Sequence, residues 1–335
     1  MPNIYFYKEM NKDFKVRLKQ ELSNVFFPDE NIAIKLPMGE PGNKYFLKPD
    51  LVRGFVDLLK ETKVKPFLFD SPSMYPGPRN APEDYLKSAA NHGFTEKSMG
   101  CPIVVSNESV RYETEYMEAE VCKELVEADG MFVLSHIKGH MAAGFGGAIK
   151  NLGMGGVSKK TKGFIHFQAR PVVLENCDGC GYCAGKCANK VISIENKKVQ
   201  IEFNGCWGCG VCILECPKKA LRPKLASFDK LLAEGAFAVT KSVKKAYYVN
   251  CLVNIARNCD CWSGDNKIVL GDIGFLMSKD IVAIDKKSFD LIKEKYGKDL
   301  FLEIHGKSPL LHIKEAERLG MGKLKYELLD NNRKT

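Results

Sequence analysis

Two cysteine-rich stretches decide how the middle of this chain folds: residues 177–187 read CDGCGYCAGKC, and residues 206–217 read CWGCGVCILECP. In each stretch three cysteines are separated by two residues, and a fourth follows after three more. This spacing is typical of proteins that hold a pair of [4Fe–4S] clusters, where the fourth cysteine of each run ligates the other cluster. The repeat therefore predicts two [4Fe–4S] clusters and one-electron transfer.

The crossed arrangement divides these cysteines into two ligand sets. Glycines beside the ligands let each loop close without steric conflict, and Pro217 ends the short helix that precedes it. Ala188 follows Cys187 where such runs usually have proline, which leaves the ligation unaffected. The predicted ligands of the first cluster are Cys177, Cys180, Cys183 and Cys216, and those of the second are Cys206, Cys209, Cys212 and Cys187.

Zinc is the main alternative for cysteines at this density. Structural zinc sites commonly use two well-separated Cys-x-x-Cys pairs, and a continuous run of three ligands fits them poorly. Disulfides are disfavoured in these runs, because residues 1–14 show no secretory signal and clustered thiols then indicate a reducing compartment. We expect a cytoplasmic protein without a membrane span, since no apolar stretch reaches about 18 residues.

The overall composition favours a globular chain that does not bind nucleic acid. Its 335 residues are enough for two domains, and a hydrophobic content of 45% can supply a core. The formal net charge of +9 is not gathered into a long basic tract. Lys159–Lys162 lacks interleaved aromatic residues, so we predict a solvated or anion-facing loop there.

Outside the cysteine runs, predicted strands and helices alternate, which favours a layered α/β domain with a mostly parallel sheet. The predicted strands cover residues 31–36, 64–69, 101–106, 131–134, 246–254, 267–271 and 281–284. The predicted helices cover residues 48–61, 82–92, 118–128, 228–240 and 286–296, the last with Asp285 as its N-cap.

The simplest domain organisation is one α/β domain, residues 1–170 and 226–335, interrupted by a small α+β ferredoxin-like module at residues 171–225. Within the module, residues 191–194 and 199–203 are predicted strands joined by a polar turn. The clusters would replace a conventional core, so loss of iron is expected to unfold the module. The alternative is two independent α/β lobes with the clusters between them.

A glycine- and histidine-rich stretch follows one predicted strand directly: residues 135–156 read SHIKGHMAAGFGGAIKNLGMGG. Ligands of α/β sheets bind beyond the carboxyl ends of the strands. Gly144, Gly146 and Gly147 would permit close approach of the backbone to a small anionic ligand, and Lys150 could balance its charge. The stretch matches neither a Walker A loop nor GxGxxG, so the alternative is a turn that packs against the module.

Histidines near this stretch are candidates for proton transfer or metal binding. His136 and His140 lie four residues apart, and His166 follows later in the chain. Together with Lys150, His136 and His140 are the candidate catalytic residues. The alternative for each histidine is a hydrogen-bonded core residue without a role in chemistry.

A proline-rich loop, residues 70–80 with the sequence DSPSMYPGPRN, follows another predicted strand. Its Arg79 could hold a phosphate or a carboxylate. The alternative is a stiff connection between two elements.

A third candidate region is the CDC sequence at residues 259–261. Cys259 and Cys261 could bind a metal or cofactor, with Cys251 nearby, or form a redox pair, or pack as small buried residues. Asp272 and Asp280 are predicted to line the same cleft.

Three of these segments together resemble a known family. HIKGHMAAGFGGAIKNLGMG at residues 136–155, CDC at 259–261 and GDIGFLMSKDIVAIDK at 271–286 are similar to the domain-of-unknown-function 362 family of iron–sulfur proteins. The resemblance covers most of the chain and implies an α/β domain with an inserted ferredoxin module. It implies no assigned reaction and therefore no catalytic residue.

The sequence as a whole predicts an iron–sulfur oxidoreductase of unknown substrate. Its clusters would carry electrons between a redox partner protein and a ligand in the α/β domain, since the chain has far more structure than a ferredoxin requires. The alternatives are a non-catalytic electron carrier or partner-docking protein, and an enzyme of non-redox type in which the clusters are structural.

Overall fold

The computed structural model of the protein describes residues 1–330. Its helices are α1 (Lys12–Ser23), α2 (Pro49–Lys60), α3 (Pro82–Asn91), α4 (Glu96–Met99), α5 (Lys123–Glu127), α6 (Ala148–Gly155), α7 (Lys159–Gln168), α8 (Tyr182–Lys186), α9 (Val211–Leu214), α10 (Phe228–Ser242), α11 (Ile281–Tyr296), α12 (Leu300–His305) and α13 (Leu310–Arg318). Its strands are β1 (Asn3–Tyr7), β2 (Asn31–Lys35), β3 (Lys65–Asp70), β4 (Ile103–Val105), β5 (Ser109–Glu113), β6 (Glu118–Cys122), β7 (Gly130–His136), β8 (Lys138–His140), β9 (Gly144–Gly146), β10 (Pro171–Val173), β11 (Ile192–Glu195), β12 (Lys198–Ile201), β13 (Leu221–Pro223), β14 (Ala246–Leu252), β15 (Ile255–Ala256), β16 (Ile268–Leu270), β17 (Gly274–Ser278) and β18 (Glu327–Asp330).

One large sheet organises the molecule, with the strand order β18-β1-β17-β14-β7-β2-β3-β4. The five strands from β14 to β4 run parallel to one another. Strand β17 is antiparallel to both of its neighbours, β14 and β1. The layered, mostly parallel α/β class predicted from the alternation of elements is confirmed.

Each face of this sheet is covered by its own hydrophobic cluster. Alternate residues of a strand point to opposite faces, so in β7 Met131 and Val133 pack with α6, α10, α11 and α13. Phe132 and Leu134, on the other face, pack with α1, α2 and α3. Both faces are therefore buried, as is usual for parallel sheets.

Residues 171–225, here called the cysteine-rich segment, leave the main sheet and return to it. Strands β10 and β13, at the two ends of the segment, pair antiparallel, and β11 pairs with β12 as a hairpin. Helices α8 and α9 follow Gly181 and Gly210, whose φ angles of 79° and 78° lie in the left-handed region that favours glycine. The positive φ explains why each run carries a glycine at this position.

The predicted helix at residues 118–128 is wrong. Residues 118–122 form β6, which pairs antiparallel with β5, and only Lys123–Glu127 is helical. Ala119 and Val121 are buried while the glutamates between and before them face outward, which is the two-residue period of a strand. The next strand, β7, begins directly afterwards at Gly130.

The predicted strand at residues 281–284 is also wrong. These four buried residues form the first turn of α11, whose N-cap Asp280 accepts a hydrogen bond from the Ala283 amide at 2.8 Å. Asp285, predicted as the cap, lies inside the helix and is fully buried. A short run of apolar residues fits a buried strand and a buried helix equally well, which explains the error.

Two further segments differ from their predicted structure. Residues 268–270 are a strand, as predicted, but β16 pairs with β15 in a separate hairpin outside the main sheet. Lys159–Lys162 is the first turn of α7 and not a loop, with Ser158 as its N-cap. Lys162 is buried there, because it lies on the side of α7 that faces the main sheet's carboxyl edge.

Candidate functional site

A cavity of about 730 Å³ lies between the carboxyl edge of the parallel strands and the cysteine-rich segment. Its wall combines the ends of β2 and β3, the β8–β9 hairpin, α6, α7 and two loops, residues 204–207 and 258–263. Of the candidate residues named from the sequence, those on this wall are Arg79, His140, Gly146, Gly147, Lys150, His166, Cys206, Cys259 and Cys261. His136, Gly144, Asp272 and Asp280 are not among its lining residues.

The cavity is rich in positive charge. Its lining includes two acidic side chains, Asp70 and Asp260, against six lysines and arginines. The six are Lys35, Lys138, Lys150, Lys162, Arg79 and Arg170. Sequence reasoning did not single out Lys35, Lys138 or Arg170, although it placed Lys162 in a segment that could face an anion. The signal for Lys35 was its position at the end of an otherwise apolar strand.

A buried ion pair joins the ends of the two neighbouring strands β2 and β3. The Lys35 ammonium lies 2.9 Å from a carboxylate oxygen of Asp70, and both side chains are buried. Lys35 also donates to the Asn151 side chain at 2.7 Å, which ties α6 to the strand end. Burial would raise the pKa of Asp70, but the charges of Lys35 and Lys162 hold it below its usual value.

Arg79 is already paired with a carboxylate. Its guanidinium donates to Glu40 at 2.6 Å and to the Tyr75 hydroxyl at 2.7 Å, and both charged side chains are buried. Tyr75 in turn donates to Glu40 at 2.8 Å. The pair fixes the proline-rich loop over the cavity, so Arg79 is less available to an anion than the sequence suggested.

Asp260, between the two cysteines of the CDC sequence, anchors that loop to the main sheet. One oxygen accepts from His136 Nδ1 at 2.9 Å and the other from the Lys138 ammonium at 2.9 Å. Burial would raise the pKa of Asp260, but Lys138 and His136 hold it far below its usual range. Because His136 Nε2 also contacts the Val253 carbonyl at 2.8 Å, neither ring nitrogen of His136 is left for a metal.

Lys150 is the cation of the cavity that lacks a partner. Its ammonium makes no hydrogen bond or ion pair of 4 Å or less with any side chain or backbone group in residues 1–330. Burial, together with the positive charge of Lys138, lowers the pKa of Lys150 to about 7. Near neutral pH this side chain can therefore exist with or without its proton.

The helix that carries Lys150 begins at an unusual cap. The backbone amides of Ala148 and Ile149 donate to the two carboxylate oxygens of Asp285, at 2.8 and 2.9 Å. A Cβ atom on Gly147 would lie 2.6 Å from the same carboxylate, so glycine is required there. Asp285 thus occupies the positive end of α6, and burial raises its pKa to about 6.

His140, Cys259 and Cys261 meet at the cavity wall. A ring nitrogen of His140 and the two sulfur atoms lie within 4.8 Å of one another, in an arrangement that could hold a metal ion. In the structure the two cysteines are joined by a disulfide. Cys259 is buried, and Cys261 is half-buried.

The second cysteine run packs directly against the α/β domain. His166 Nδ1 contacts the Trp207 carbonyl at 2.8 Å, and Arg170 donates to the Cys206 carbonyl at 3.1 Å. The ammonium of Lys307 reaches the Cys209 carbonyl at 2.6 Å. Burial lowers the pKa of His166 to about 4, so its ring is neutral at physiological pH.

The eight cysteines of the two runs are all free thiols. A small pocket is lined by Cys177, Cys180, Cys183 and Cys216 together with Pro217. Burial, together with the Cys209, Cys206, Cys183 and Cys187 thiols, raises the pKa of the Cys212 thiol to about 12. Closely spaced thiols with no disulfide between them are the donor set that iron–sulfur clusters use.

The family follows from a comparison with family models. The model of the domain of unknown function 362 matches residues 32–290. This chain belongs to that family. The matched span of this family member includes both cysteine runs, the glycine-rich stretch and the CDC loop.

Other comparisons gave distant similarity or none. No curated protein sequence matches this chain. A crystal structure of a Thermotoga maritima protein is similar at 10% identity and a TM-score of 0.41, covering 91% of this chain and 59% of that one. The lactate racemase apoprotein from Thermoanaerobacterium thermosaccharolyticum is similar at 15% identity and a TM-score of 0.35, covering 76% of this chain and 50% of that one. The chain thus spans less than two thirds of either protein.

No helix within residues 1–330 is both long enough and apolar enough to cross a membrane.

Proposed function

We propose that this protein is an iron–sulfur oxidoreductase in which two [4Fe–4S] clusters, held by a ferredoxin-like module at residues 171–225, serve an anionic ligand in the cavity. The observation that carries the proposal is the composition of the cavity wall. Cys206, a predicted ligand of the second cluster, lines the same cavity as the partnerless Lys150. A redox centre and a ligand site would therefore share one space.

The cysteine-rich segment has the donor groups for both clusters. We assign Cys177, Cys180, Cys183 and Cys216 to the first cluster, because they surround one pocket, and the remaining four cysteines of the runs to the second. Bound clusters would supply electrons one at a time.

The two runs differ in their surroundings, which suggests a direction for electron transfer. Cys180 of the first run is exposed to solvent. The second run is held against α7 and against Lys307 of the α/β domain. A redox partner protein would accordingly approach the first run, while the second run faces the ligand.

An anionic ligand suits the cavity because the positive charges outnumber the negative ones. Lys35, Lys138 and Arg79 are neutralised by Asp70, Asp260 and Glu40. The other three cations of the wall, Lys150, Lys162 and Arg170, have no carboxylate within ion-pair distance among residues 1–330. A carboxylate or phosphate group of a small ligand would complete these contacts.

Iron and sulfide analysis of anaerobically purified protein tests the cluster assignment. We expect about eight iron and eight sulfide per chain, which is the content of two [4Fe–4S] clusters. Cys183→Ser and Cys212→Ser should each lower the iron content by up to about half, because each removes one ligand of one cluster. The matched control is Cys101→Ser, which changes a buried cysteine of the α/β domain and should leave the iron content unchanged.

Bound zinc without sulfide would overturn the cluster assignment. An equal loss of iron in Cys101→Ser and Cys183→Ser would also contradict it, because the loss would then reflect general unfolding. Purification should retain reducing conditions, since the proposal places the protein in a reducing compartment such as the cytoplasm.

A non-catalytic electron carrier is the second candidate, and one observation favours it. Tyr182 and Leu214, on the two short helices of the cysteine-rich segment, are 46% and 53% exposed. Exposed apolar side chains near a redox centre suit a docking surface for a partner protein. Anion binding in the cavity distinguishes the two candidate functions, because a non-catalytic electron carrier would bind no anion there.

A further inference from the structure

We propose that Cys259 and Cys261 are a redox-active cysteine pair that collects two electrons at the wall of the cavity. The inference rests on the proposed function, because it takes the iron–sulfur module as the source of electrons. It adds a second redox centre to the chain, built from residues outside the two cysteine runs. Both cysteines lie on the cavity wall.

The loop around the pair is held in place from several sides. The Asn43 side chain donates to the Cys259 carbonyl at 3.1 Å and to the Trp262 carbonyl at 2.9 Å. The amide of Glu40 donates to the Asp260 carbonyl at 2.7 Å. These contacts position the two sulfur atoms independently of the bond between them, so the loop can keep its shape when the disulfide is reduced.

The surroundings favour the thiolate that reduction produces. The amide of Cys261 already donates to the sulfur of Cys259, at 3.3 Å. The ammonium groups of Lys138 and Lys150 face the same cavity. Hydrogen bonds from amides and nearby positive charges stabilise a thiolate and make a cysteine more reactive.

The pair also lies next to the second cysteine run. Trp207, which follows the predicted cluster ligand Cys206, contacts Trp262, which follows Cys261; the centroids of the two rings are 6.2 Å apart at an angle of 69°. The two aromatic rings connect a loop of the cysteine-rich segment to the CDC loop. The ring contact thus places the CDC loop beside the loop that carries a predicted cluster ligand.

The reaction of the pair is the reduction of a disulfide. The bond between the two sulfur atoms breaks, two electrons and one proton are taken up, and one thiolate and one S–H group form. The electrons come one at a time from a reduced iron–sulfur donor, so two such transfers are needed. The reduced pair therefore holds two electrons, delivered singly, next to the proposed ligand site.

His140 is suited to stabilise the reduced sulfur atoms by a hydrogen bond, while the proton taken up in the reaction comes from solvent. One of its ring nitrogens lies within 4.8 Å of both, a separation that one water molecule can bridge. Its Nδ1 accepts hydrogen bonds from the amides of Ala142 and Ala143, both at 3.2 Å. The neutral ring therefore carries its proton on Nε2, and that N–H can donate.

Metal binding by the same three side chains is the competing possibility. A histidine that binds a metal normally donates from its other ring nitrogen, whereas the other nitrogen could not donate here, because Nδ1 accepts from two amides. The disulfide and the surrounding lysines also favour redox chemistry over binding of a cation.

Reductive titration under anaerobic conditions tests the inference. Dithionite, a one-electron reductant, is added to the oxidised holoprotein, and the electrons consumed per chain are counted. The wild-type protein should take up about two electrons more than Cys259→Ser/Cys261→Ser, because the variant lacks the disulfide. Cys251→Ser changes a buried cysteine that is not in the disulfide and should match the wild type.

Alkylation with mass spectrometry gives a second measurement that needs only the wild-type protein. Cys259 and Cys261 should both be unmodified before reduction and both be alkylated after it, and reoxidation should protect them again. This result would stand even if the double variant failed to fold.

The outcomes distinguish this inference from the proposed function. One outcome is that reduction bleaches the visible iron–sulfur absorption while Cys259 and Cys261 react with the alkylating reagent both before and after reduction. In that case the redox pair is wrong, and the assignment of the clusters is unaffected. If the chain holds no iron and sulfide, the proposed function fails and the electron source with it. The redox pair would also be wrong if the wild-type protein bound one further metal ion per chain, beyond the cluster iron, and Cys259→Ser/Cys261→Ser did not.

Discussion

At the scale of single residues, the buried charges of the cavity have unequal roles. Lys35 and Lys138 are each paired with an aspartate, at 2.9 Å in both cases. A buried charge that loses its partner is destabilising, so these lysines serve mainly to hold the strand ends and the CDC loop together. Lys150 has no such partner, and it is the lysine expected to bind an anion.

The first prediction concerns Lys150 and anion binding. Sulfate keeps its charge between pH 6 and pH 8, and its affinity for the wild-type protein should fall over this range as Lys150, with a pKa of about 7, loses its proton. Lys150→Met should weaken binding by about 10- to 100-fold at pH 6, the value of one charged hydrogen bond, and should flatten the pH dependence. Isothermal titration calorimetry measures both effects.

The control for this prediction is Lys15→Met, which removes one positive charge from the exposed face of α1. It should leave sulfate affinity unchanged. Sulfate binding that is equally strong in Lys150→Met would show that the anion site lies elsewhere.

The second prediction concerns Asp260 and stability. Asp260→Asn should lower the free energy of unfolding by about 3–5 kcal/mol, because Lys138 would be left buried without its counter-charge. The pKa of Asp260 is lower in the folded protein than its ordinary value of 3.8. Its contribution is therefore present above that value and lost as the pH falls through the folded pKa.

Chemical unfolding at pH 5 to 8 checks this prediction. The difference between the wild type and Asp260→Asn should stay constant over that range, which lies above the ordinary pKa. Glu61→Gln, which breaks an exposed ion pair with Lys19, should cost about 1 kcal/mol or less. A difference that grows steadily from pH 5 to pH 8 would contradict the assignment.

At the scale of elements, helix α6 connects the sheet, α10 and the cavity. Asn151 on one side donates to the Leu134 carbonyl at 3.2 Å and accepts from Lys35 at 2.7 Å. On the other side Gly153 and Gly235 let α6 and α10 approach closely, since a Cβ on either glycine would fall within 3 Å of backbone atoms of the other helix. The position of Lys150 in the cavity follows from these two contacts.

The third prediction tests that close helix packing. A Cβ on Gly153 would lie 2.4 Å from the Leu232 carbonyl oxygen, so Gly153→Ala should destabilise the protein by about 1–3 kcal/mol through overpacking. Gly163→Ala is the matched control, a helical glycine whose nearest contact would be 3.5 Å. It should be neutral or stabilising by up to about 1 kcal/mol.

Thermal unfolding of the two variants provides the comparison. If Gly153→Ala is as stable as Gly163→Ala, the close packing of α6 against α10 is not required for stability. In that case the position of Lys150 would have to be maintained by the Asn151 contacts alone.

At the scale of the whole molecule, two parts of unequal size have different sources of stability. The α/β domain buries two large hydrophobic clusters, one on each face of its sheet. The cysteine-rich segment has one small cluster whose fully buried members are Cys183, Ile192, Cys212 and Leu221. So few buried side chains are not expected to stabilise a folded segment of this length without bound metal.

The fourth prediction is that removal of iron unfolds this segment and leaves the α/β domain folded. Amide hydrogen exchange should show loss of protection across residues 171–225 after chelation, while β7 and β14 at the centre of the sheet keep theirs. Replacing the iron and sulfide should restore protection. Unchanged protection in residues 171–225 would mean that the segment folds without clusters.

The sequence alone was sufficient for features that depend on neighbouring residues. The cysteine runs are contiguous, so their spacing is visible without a structure, and the alternation of elements predicted the α/β fold that was confirmed. Prediction failed where a short apolar run was ambiguous, at residues 281–284, and where a two-residue period at residues 118–122 was read as a helix. Neighbouring strands and helices decide such cases.

Only the tertiary structure decided which charges meet and which cysteines face the cavity. Lys35 and Asn151 are in contact although 116 residues separate them along the chain, and Lys138 meets Asp260 across 122 residues. Contacts of this range depend on how distant strands, helices and loops pack against one another, which no local sequence pattern encodes. The sequence thus determined the predicted redox module and the fold class, whereas the cationic cavity and the placement of the CDC loop beside Trp207 arise from the packing of distant segments.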